Sequence, residues 1–328
     1  MPLLDARDAQ ALHAAAVHLV AGELLAFPTE TVYGLGARAD DDAAVQRIFA
    51  AKGRPAAHPL IVHVADVEQA QRFALKWPPM AQQLARAFWP GPLTIIVERQ
   101  PTVATAAAGG QGTIGLRVPA HALAQALLRE ALRLGVAGIA APSANRFGAV
   151  SATAAAHVVQ EFGPDLWVLD GGECPGGIES AIVDCTGPHP TLLRPGLLPR
   201  AQIEAVLGMP LHERDAQSPR ASGSLRAHYA PRAKVRLMPA RALRDALQVL
   251  GSPEPGLRLA VYSRSGIGPV KGIDHRRMPD DAVAAAHEIF AVLREFDARG
   301  AMLIWIEQPP PSADWEGVLD RLQRAAAA

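Results

Sequence analysis

The first two hundred residues place hydroxyls and cations at the ends of apolar runs, as an anionic ligand requires. Pro28-Thr-Glu-Thr-Val-Tyr-Gly-Leu-Gly36 follows the first apolar run directly. Thr29 and Thr31, at spacing two, point along one face of an extended segment, and Gly34 and Gly36 permit tight backbone approach. Lys52-Gly-Arg54-Pro55 sits where a helix ends. Cations there complement the helix dipole, worth about 0.3–1 kcal/mol, and the proline after Arg54 fixes where the guanidinium points. His63 lies inside the apolar strand Leu60–Val64 and reads first as a satisfied core histidine. Arg117 interrupts another strand. A buried guanidinium needs an anion, either a carboxylate of the chain or a substrate carboxylate held by its planar fork. Pro142-Ser143-Ala-Asn145 closes an apolar strand, the end at which open α/β sheets bind ligands. Gly176-Gly177-Ile-Glu-Ser180 adds a glycine-rich loop with a hydroxyl, and Arg194-Pro-Gly196 adds a second strand-end arginine locked by proline.

Short apolar runs alternate with amphipathic helices over this region. Strands are expected at Glu23–Phe27, Leu60–Val64, Leu93–Val97, Ile114–Val118, Gly138–Ala141, Leu166–Leu169, Ala181–Val183 and Thr191–Arg194. Asp40, Asp41 and Asp42 offer N-caps for a helix ending near Gly53, and Ser151 offers one for a helix through Phe162. Helices are also expected over 123–134 and 200–207. The fold class is α/β, a twisted mixed sheet with helices over residues 1–210. Residues 211–232 are polar and aperiodic, read as a linker or lid, because a loop of about 20 residues is uncommon inside one domain. Between Asp215 and Asp245 there is no acidic residue, so the linker is basic. Residues 233–328 then read as a β-α-β-α-β-α unit, a small Rossmann-like parallel sheet.

Composition excludes several classes. The chain has 328 residues, 49% apolar and 20% charged, with Lys+Arg and Asp+Glu both at 32. That length favours two domains, and the neutral total argues against a uniformly basic nucleic-acid coat. Cys174 and Cys185 are too few for a disulfide framework or a four-cysteine zinc site; they read as structural thiols in a reducing compartment, and a cytoplasmic location is expected. No apolar run of about 18 residues is long enough for a membrane span. Residues 1–20 carry charges where a signal peptide needs an apolar core. There is no GxxxxGK[ST], GxGxxG, HExxH or GxSxG, so phosphates would have to be held by scattered cations and hydroxyls.

The order and wording of these segments resemble the threonylcarbamoyl-AMP synthase family, with its YrdC-like domain. The matching stretches are FPTETVYGLG at 27–36, KGRP at 52–55, PLIVHV at 59–64, WPGPLT at 89–94, GLRVP at 115–119, APSAN at 141–145 and LRPG at 193–196. SGSLRAHYAP at 222–231 is similar to the linker of the long, two-domain form, and the tail resembles that form's extra domain.

The resemblance implies a reaction joining L-threonine, bicarbonate and ATP into threonylcarbamoyl-AMP and pyrophosphate, for a tRNA threonylcarbamoyladenosine modification. The family's threonine positions fall on Thr31, His63, Arg117, Ala141 and Ser180. Its ATP positions fall on Arg54, His58, Thr113, Ser143, Ser151, Arg194 and, in the linker, Tyr229. Lys52 and Arg54 carry the catalytic motif. Mg²⁺ would ride on the phosphates, since no carboxylate cluster stands out as a cage. Implied partners are downstream tRNA threonylcarbamoyl-transfer proteins, with tRNA itself a candidate contact and no membrane. Two departures stand out. His58 replaces the usual asparagine and adds a titratable group, and the linker wording is reduced to Leu225-Arg-Ala-His-Tyr229. The rival readings are an RNA-binding module of the same fold and a carbamoyl-transfer subunit of hydrogenase maturation. The neutral charge weighs against the first, and the cysteine count against the second.

Overall fold

The computed structural model describes residues 3–5, 9–251, 256–266 and 272–328. It divides into two compact units, residues 1–147 with 151–224, and residues 148–150 with 225–328.

The first unit opens with strand β1 (Leu3–Asp5), helix α1 (Ala9–Val20) and the strands β2 (Leu25–Phe27) and β3 (Gly34–Arg38). Helix α2 (Asp42–Lys52) starts where the aspartates predict. The Asp41 carboxylate accepts from the backbone of Ala43 and Ala44, and Gly53 ends the helix in the left-handed conformation. Strand β4 (Ile61–His63), helices α3 (Val67–Phe73) and α4 (Pro79–Phe88), strands β5 (Leu93–Glu98) and β6 (Thr113–Arg117) and helix α5 (Ala122–Arg133) follow. Strand β7 (Ile139–Ala140), helix α6 (Ala155–Phe162), strands β8 (Trp167–Asp170), β9 (Ala181–Asp184) and β10 (Thr191–Arg194), helix α7 (Arg200–Leu207) and strand β11 (His212–Glu213) complete it.

These strands form one mixed sheet, in the order β1-β8-β2-β3-β7-β4-β6-β5-β9-β10-β11. Side-chain alternation divides it into two faces. Ala26, Val62, Ile95, Leu116 and Val183 join α2, α4 and α6 in the larger core. Leu25, Phe27 and Ile139 pack on the opposite face under α1 and α5. Further along that second face, Ile61, Ile96, Ile182 and Leu193 are covered by Ala221.

The structure adds β1 and α1, which were not expected, and differs from the expectations at further points within this unit. Ser151 does not cap α6, which begins at Ala155 behind Ala154 without a side-chain cap; the Ser151 hydroxyl donates to Glu179. Gly34–Arg38 is a strand, its backbone paired to β2 and β7, although its glycines read as a loop. The polar stretch after 210 is not all free loop, since β11 pairs in parallel with β10.

In the second unit, strand β12 (Lys234–Met238), helix α8 (Ala240–Leu250), strands β13 (Leu259–Ser263) and β14 (Ile273–Arg277), helix α9 (Ala282–Ala298), strand β15 (Leu303–Glu307) and helix α10 (Glu316–Ala326) form an all-parallel sheet ordered β12-β15-β13-β14. β14 is additional to the strands expected from sequence. The rest follows the expected alternation, and Leu243, Leu247, Leu259 and Val261 form its core.

Candidate active site

The site residues on the sheet share one face because their numbers share parity along each strand. β4 and β6 are parallel in a register that sets Ile61 beside Gly115 and His63 beside Arg117. β5 sets Ile96 against Gly115, and β9 sets Ile182 beside Thr94. Thr113, Gly115, Arg117, His63 and Thr94 therefore project to the side opposite Leu116 and Val62. Gly115 leaves this face open, as a methyl there would meet Thr94 Cγ2 at 3.2 Å. A cleft lined by Leu60, Ile61, Thr94, Thr113, Ala221 and Ser222 follows.

At one end, Arg117 is buried and its fork is divided among three partners. Nε donates to the Gly91 carbonyl at 3.2 Å, and Nη1 donates to Thr31 Oγ1 at 3.0 Å. Nη2 lies 2.6 Å from a Glu30 carboxylate oxygen. Thr29 Oγ1 donates to the Val32 carbonyl at 2.6 Å, so its 2.8 Å contact with Thr31 must be accepted from the Thr31 hydroxyl. The chain Arg117 to Thr31 to Thr29 thus has a fixed direction. The anion that Arg117 required is Glu30. His63, edge-on to Phe27, is drawn down to about 3 by burial and by the nearby Arg117 charge, so its imidazole is neutral at physiological pH. Ala141 closes this end, its backbone N–H donating to Ile61 at 2.9 Å.

At the other end, Lys52, Arg54 and Arg194 donate to carbonyl and hydroxyl oxygens. Lys52 is buried and donates to the carbonyl of Ser143 at 2.6 Å and to that of Asn145. Burial, with Arg54 beside it, holds its ammonium well below the ordinary lysine range. Arg54 donates to the Pro59 carbonyl at 3.0 Å and to Ser222 Oγ at 3.1 Å, with its guanidinium 5.7 Å from the Phe147 ring centroid. Arg194 donates to the Ser180 carbonyl and hydroxyl and to the Ser222 carbonyl at 3.0 Å. Ser180 also shares a 2.9 Å hydrogen bond with Thr94. Pro195-Gly196 presses against this loop so closely that a Gly196 methyl would lie 2.2 Å from the Ala181 nitrogen. Burial and the charges of Arg54 and Arg220 lower His58, so it presents a neutral imidazole edge-on to Phe147.

The structure thus joins Thr31 with Arg117 and Ser180 with Arg194, and brings Lys52 to Ser143. Thr113 lines the cleft, and Ser151 is buried on Glu179. Tyr229 belongs to the second unit, where its ring stacks on Phe290 at 5.4 Å and faces Arg321. Glu30, Glu179 and Ser222 are functional candidates that residue-by-residue reading passed over. Glu30 was the one with a signal, since it sits between the two threonines and Arg117 demanded an anion.

Buried arginines at strand ends and a buried lysine at a helix end, in a mixed α/β sheet, suit an enzyme that handles anionic substrates. Residues 18–196 match the Sua5/YciO/YrdC family model, described as telomere recombination, and residues 198–327 match the model for the threonylcarbamoyl-AMP synthase C-terminal domain. A threonylcarbamoyl-AMP synthase of Pyrococcus abyssi is 39% identical over 93% of this chain and 91% of its own. One of Bacillus subtilis is 37% identical over 98% and 94%. The crystal structure of P. abyssi Sua5 complexed with L-threonine superposes with a TM-score of 0.88 at 36% identity, covering 97% of this chain and 95% of that one. The chain belongs to the threonylcarbamoyl-AMP synthase family, in its two-domain form.

Proposed function

We infer that the chain is an L-threonylcarbamoyladenylate synthase, converting L-threonine, bicarbonate and ATP into threonylcarbamoyl-AMP and pyrophosphate for tRNA threonylcarbamoyladenosine formation. The observation that carries this reading is the set of buried cations held by neighbouring polar groups. Arg117 sits with Glu30 and Thr31, while Lys52, Arg54 and Arg194 donate to carbonyl and hydroxyl oxygens. The Arg117 guanidinium suits a threonine carboxylate, while Thr31, Ser180 and neutral His63 supply polar contacts for the rest of the amino acid. Arg54, Arg194, Ser143, Ser151, Thr113 and His58 are the residues proposed for ATP, and Tyr229 of the linker is the family's further ATP position.

The threonine amine and bicarbonate condense to a carbamate, whose oxygen attacks the α-phosphorus in line. Pyrophosphate leaves as Lys52, Arg54 and Arg194 balance its charge, and alignment supplies most of the acceleration. Mg²⁺ belongs to the ATP in this reading. Among the described residues no group of three or more His, Cys, Asp and Glu side chains is placed to hold a metal ion. No helix is long and apolar enough to cross a membrane among the described residues, and the reading needs no membrane contact. Downstream transfer proteins would accept the adenylate.

Pyrophosphate release measured with ATP, bicarbonate and each amino acid in turn tests this. Release should require both threonine and bicarbonate. Release that ignores threonine, or persists without bicarbonate, overturns the reading.

A further inference from the structure

The carboxylate of Glu30 has a role that a mere counter-ion would not fill. Both of its oxygens are sealed from solvent, and neither receives a hydrogen bond. Among the described residues its ion-pair partner is Arg117, whose Nη2 lies 2.6 Å away without meeting hydrogen-bond geometry. The other two arms of Arg117 are committed to Gly91 and Thr31. The pair is therefore held by charge, and a carboxylate with about four lone-pair sites keeps acceptor capacity for a further donor. The backbone here is held firmly, since the Glu30 carbonyl accepts from Gly176 N–H at 2.8 Å. His121, lowered by burial, feels the Glu30 charge and is a neutral imidazole at neutral pH, so it supplies no cation to Glu30.

An α-amino acid zwitterion has the matching pattern. Its carboxylate brings acceptors to Arg117 Nη2, and its ammonium brings three donors to Glu30, on adjacent carbons. We propose that Glu30 binds the α-ammonium of the amino-acid substrate and then takes its proton, making the amine nucleophilic toward bicarbonate. This deepens the function inferred above and rests on it. The step balances. The ammonium N–H bond breaks and its proton passes to the Glu30 carboxylate. The freed nitrogen pair forms the C–N bond to the bicarbonate carbon, one nitrogen proton joins the departing hydroxyl as water, and the carbamate keeps the negative charge. Glu30 ends as a neutral carboxyl and returns its proton to solvent when product leaves. Recognition of the substrate as an amino acid would therefore begin at the amine, before the side chain is read.

The test uses the full chain, titrated calorimetrically with L-threonine and with 2,3-dihydroxybutyrate, which keeps the carboxylate and hydroxyl but lacks the amine. Wild type should prefer threonine by at least about tenfold, roughly 1.4 kcal/mol. Glu30→Gln should lose that preference, while 2,3-dihydroxybutyrate and ATP bind within about twofold of wild type, and Glu30→Asp should recover part of it. Equal weakening of both ligands in Glu30→Gln, or no weakening of threonine, would reduce Glu30 to an ion-pair partner. Equal affinity of wild type for the two ligands would overturn the proposal without any variant, even if Glu30→Gln fails to fold. If wild type binds no threonine at all, the functional reading fails and takes this proposal with it.

Discussion

The two groups of buried cations are held differently. At the Arg117 end the guanidinium sits beside a buried carboxylate, Glu30, and a histidine kept neutral, so charge is nearly balanced before any ligand arrives. At the Lys52 end, the ammonium donates to backbone carbonyls, and Arg54 and Arg194 donate to carbonyl oxygens and to the Ser222 and Ser180 hydroxyls, which orient them. A cation beside a carboxylate suits a zwitterion, and several cations brought together suit a triphosphate. A net charge of zero for the whole chain conceals both arrangements.

The largest effect should come from the end that holds Lys52, Arg54 and Arg194. Lys52→Ala or Arg54→Ala should lower pyrophosphate release by about 10²–10³-fold, as expected for loss of a group facing developing charge. Threonine affinity, measured separately by calorimetry, should stay within about twofold. A comparable loss of threonine binding would mean that the ends are one site electrostatically, and the contrast would fail.

The balanced end should show itself in stability. Arg117→Ala leaves Glu30 buried beside no cation, and breaking such a pair costs about 3–5 kcal/mol. Adding Glu30→Gln to it should restore about 1–3 kcal/mol in chemical denaturation, a coupling expected only of groups in contact. Additive losses would show that the two do not balance one another. Either way, threonine-dependent turnover should be lost in Arg117→Ala.

His63 offers a finer test, because a proton on it would tip the balanced end positive. Its folded value of about 3 lies below the ordinary 6.5, so the unfolded chain binds the extra proton between those limits. Stability from this group is therefore complete above about pH 6.5 and falls as the pH drops toward 3, by about 2 kcal/mol at pH 5. The pH dependence of unfolding should flatten by that amount in His63→Asn. An unchanged slope would place the proton elsewhere.

Several of these elements were legible before any coordinates. The aspartates before α2 and the glycine after it set both ends through local hydrogen bonds, and strands β5 and β10 announce themselves by apolar runs. What escaped depends on partners far away in the chain. Gly34–Arg38 has no side-chain pattern of a strand and becomes one because β2 and β7 flank it. Ser151 has the chemistry of a cap, but the carboxylate of Glu179 outbids the helix amides. Arg117 posed the question of its anion, and only the fold could choose between Glu30 and a ligand. Ser222 gave no signal at all, as nothing in an aperiodic stretch marks a hydroxyl that meets an arginine 168 positions earlier.

Ser222 also supplies the smallest and most discriminating prediction. Its hydroxyl accepts from Arg54 at 3.1 Å and its carbonyl accepts from Arg194 at 3.0 Å, so one residue occupies both arginines proposed for the triphosphate. A phosphate reaching Arg54 must displace the hydroxyl contact, while the carbonyl contact survives any side-chain change. Ser222→Ala should therefore free only Arg54. Because the Pro59 carbonyl still holds that guanidinium in place, ATP should bind a few-fold tighter, within the roughly 1 kcal/mol of a single hydrogen bond. Calorimetric titration with ATP reads this directly, and threonine titration of the same variant should not change. Weaker ATP binding would show that the hydroxyl orients Arg54 for the nucleotide instead of competing with it. A change in threonine affinity would show that charge at one end is felt at the other, and the division between the two ends would no longer hold.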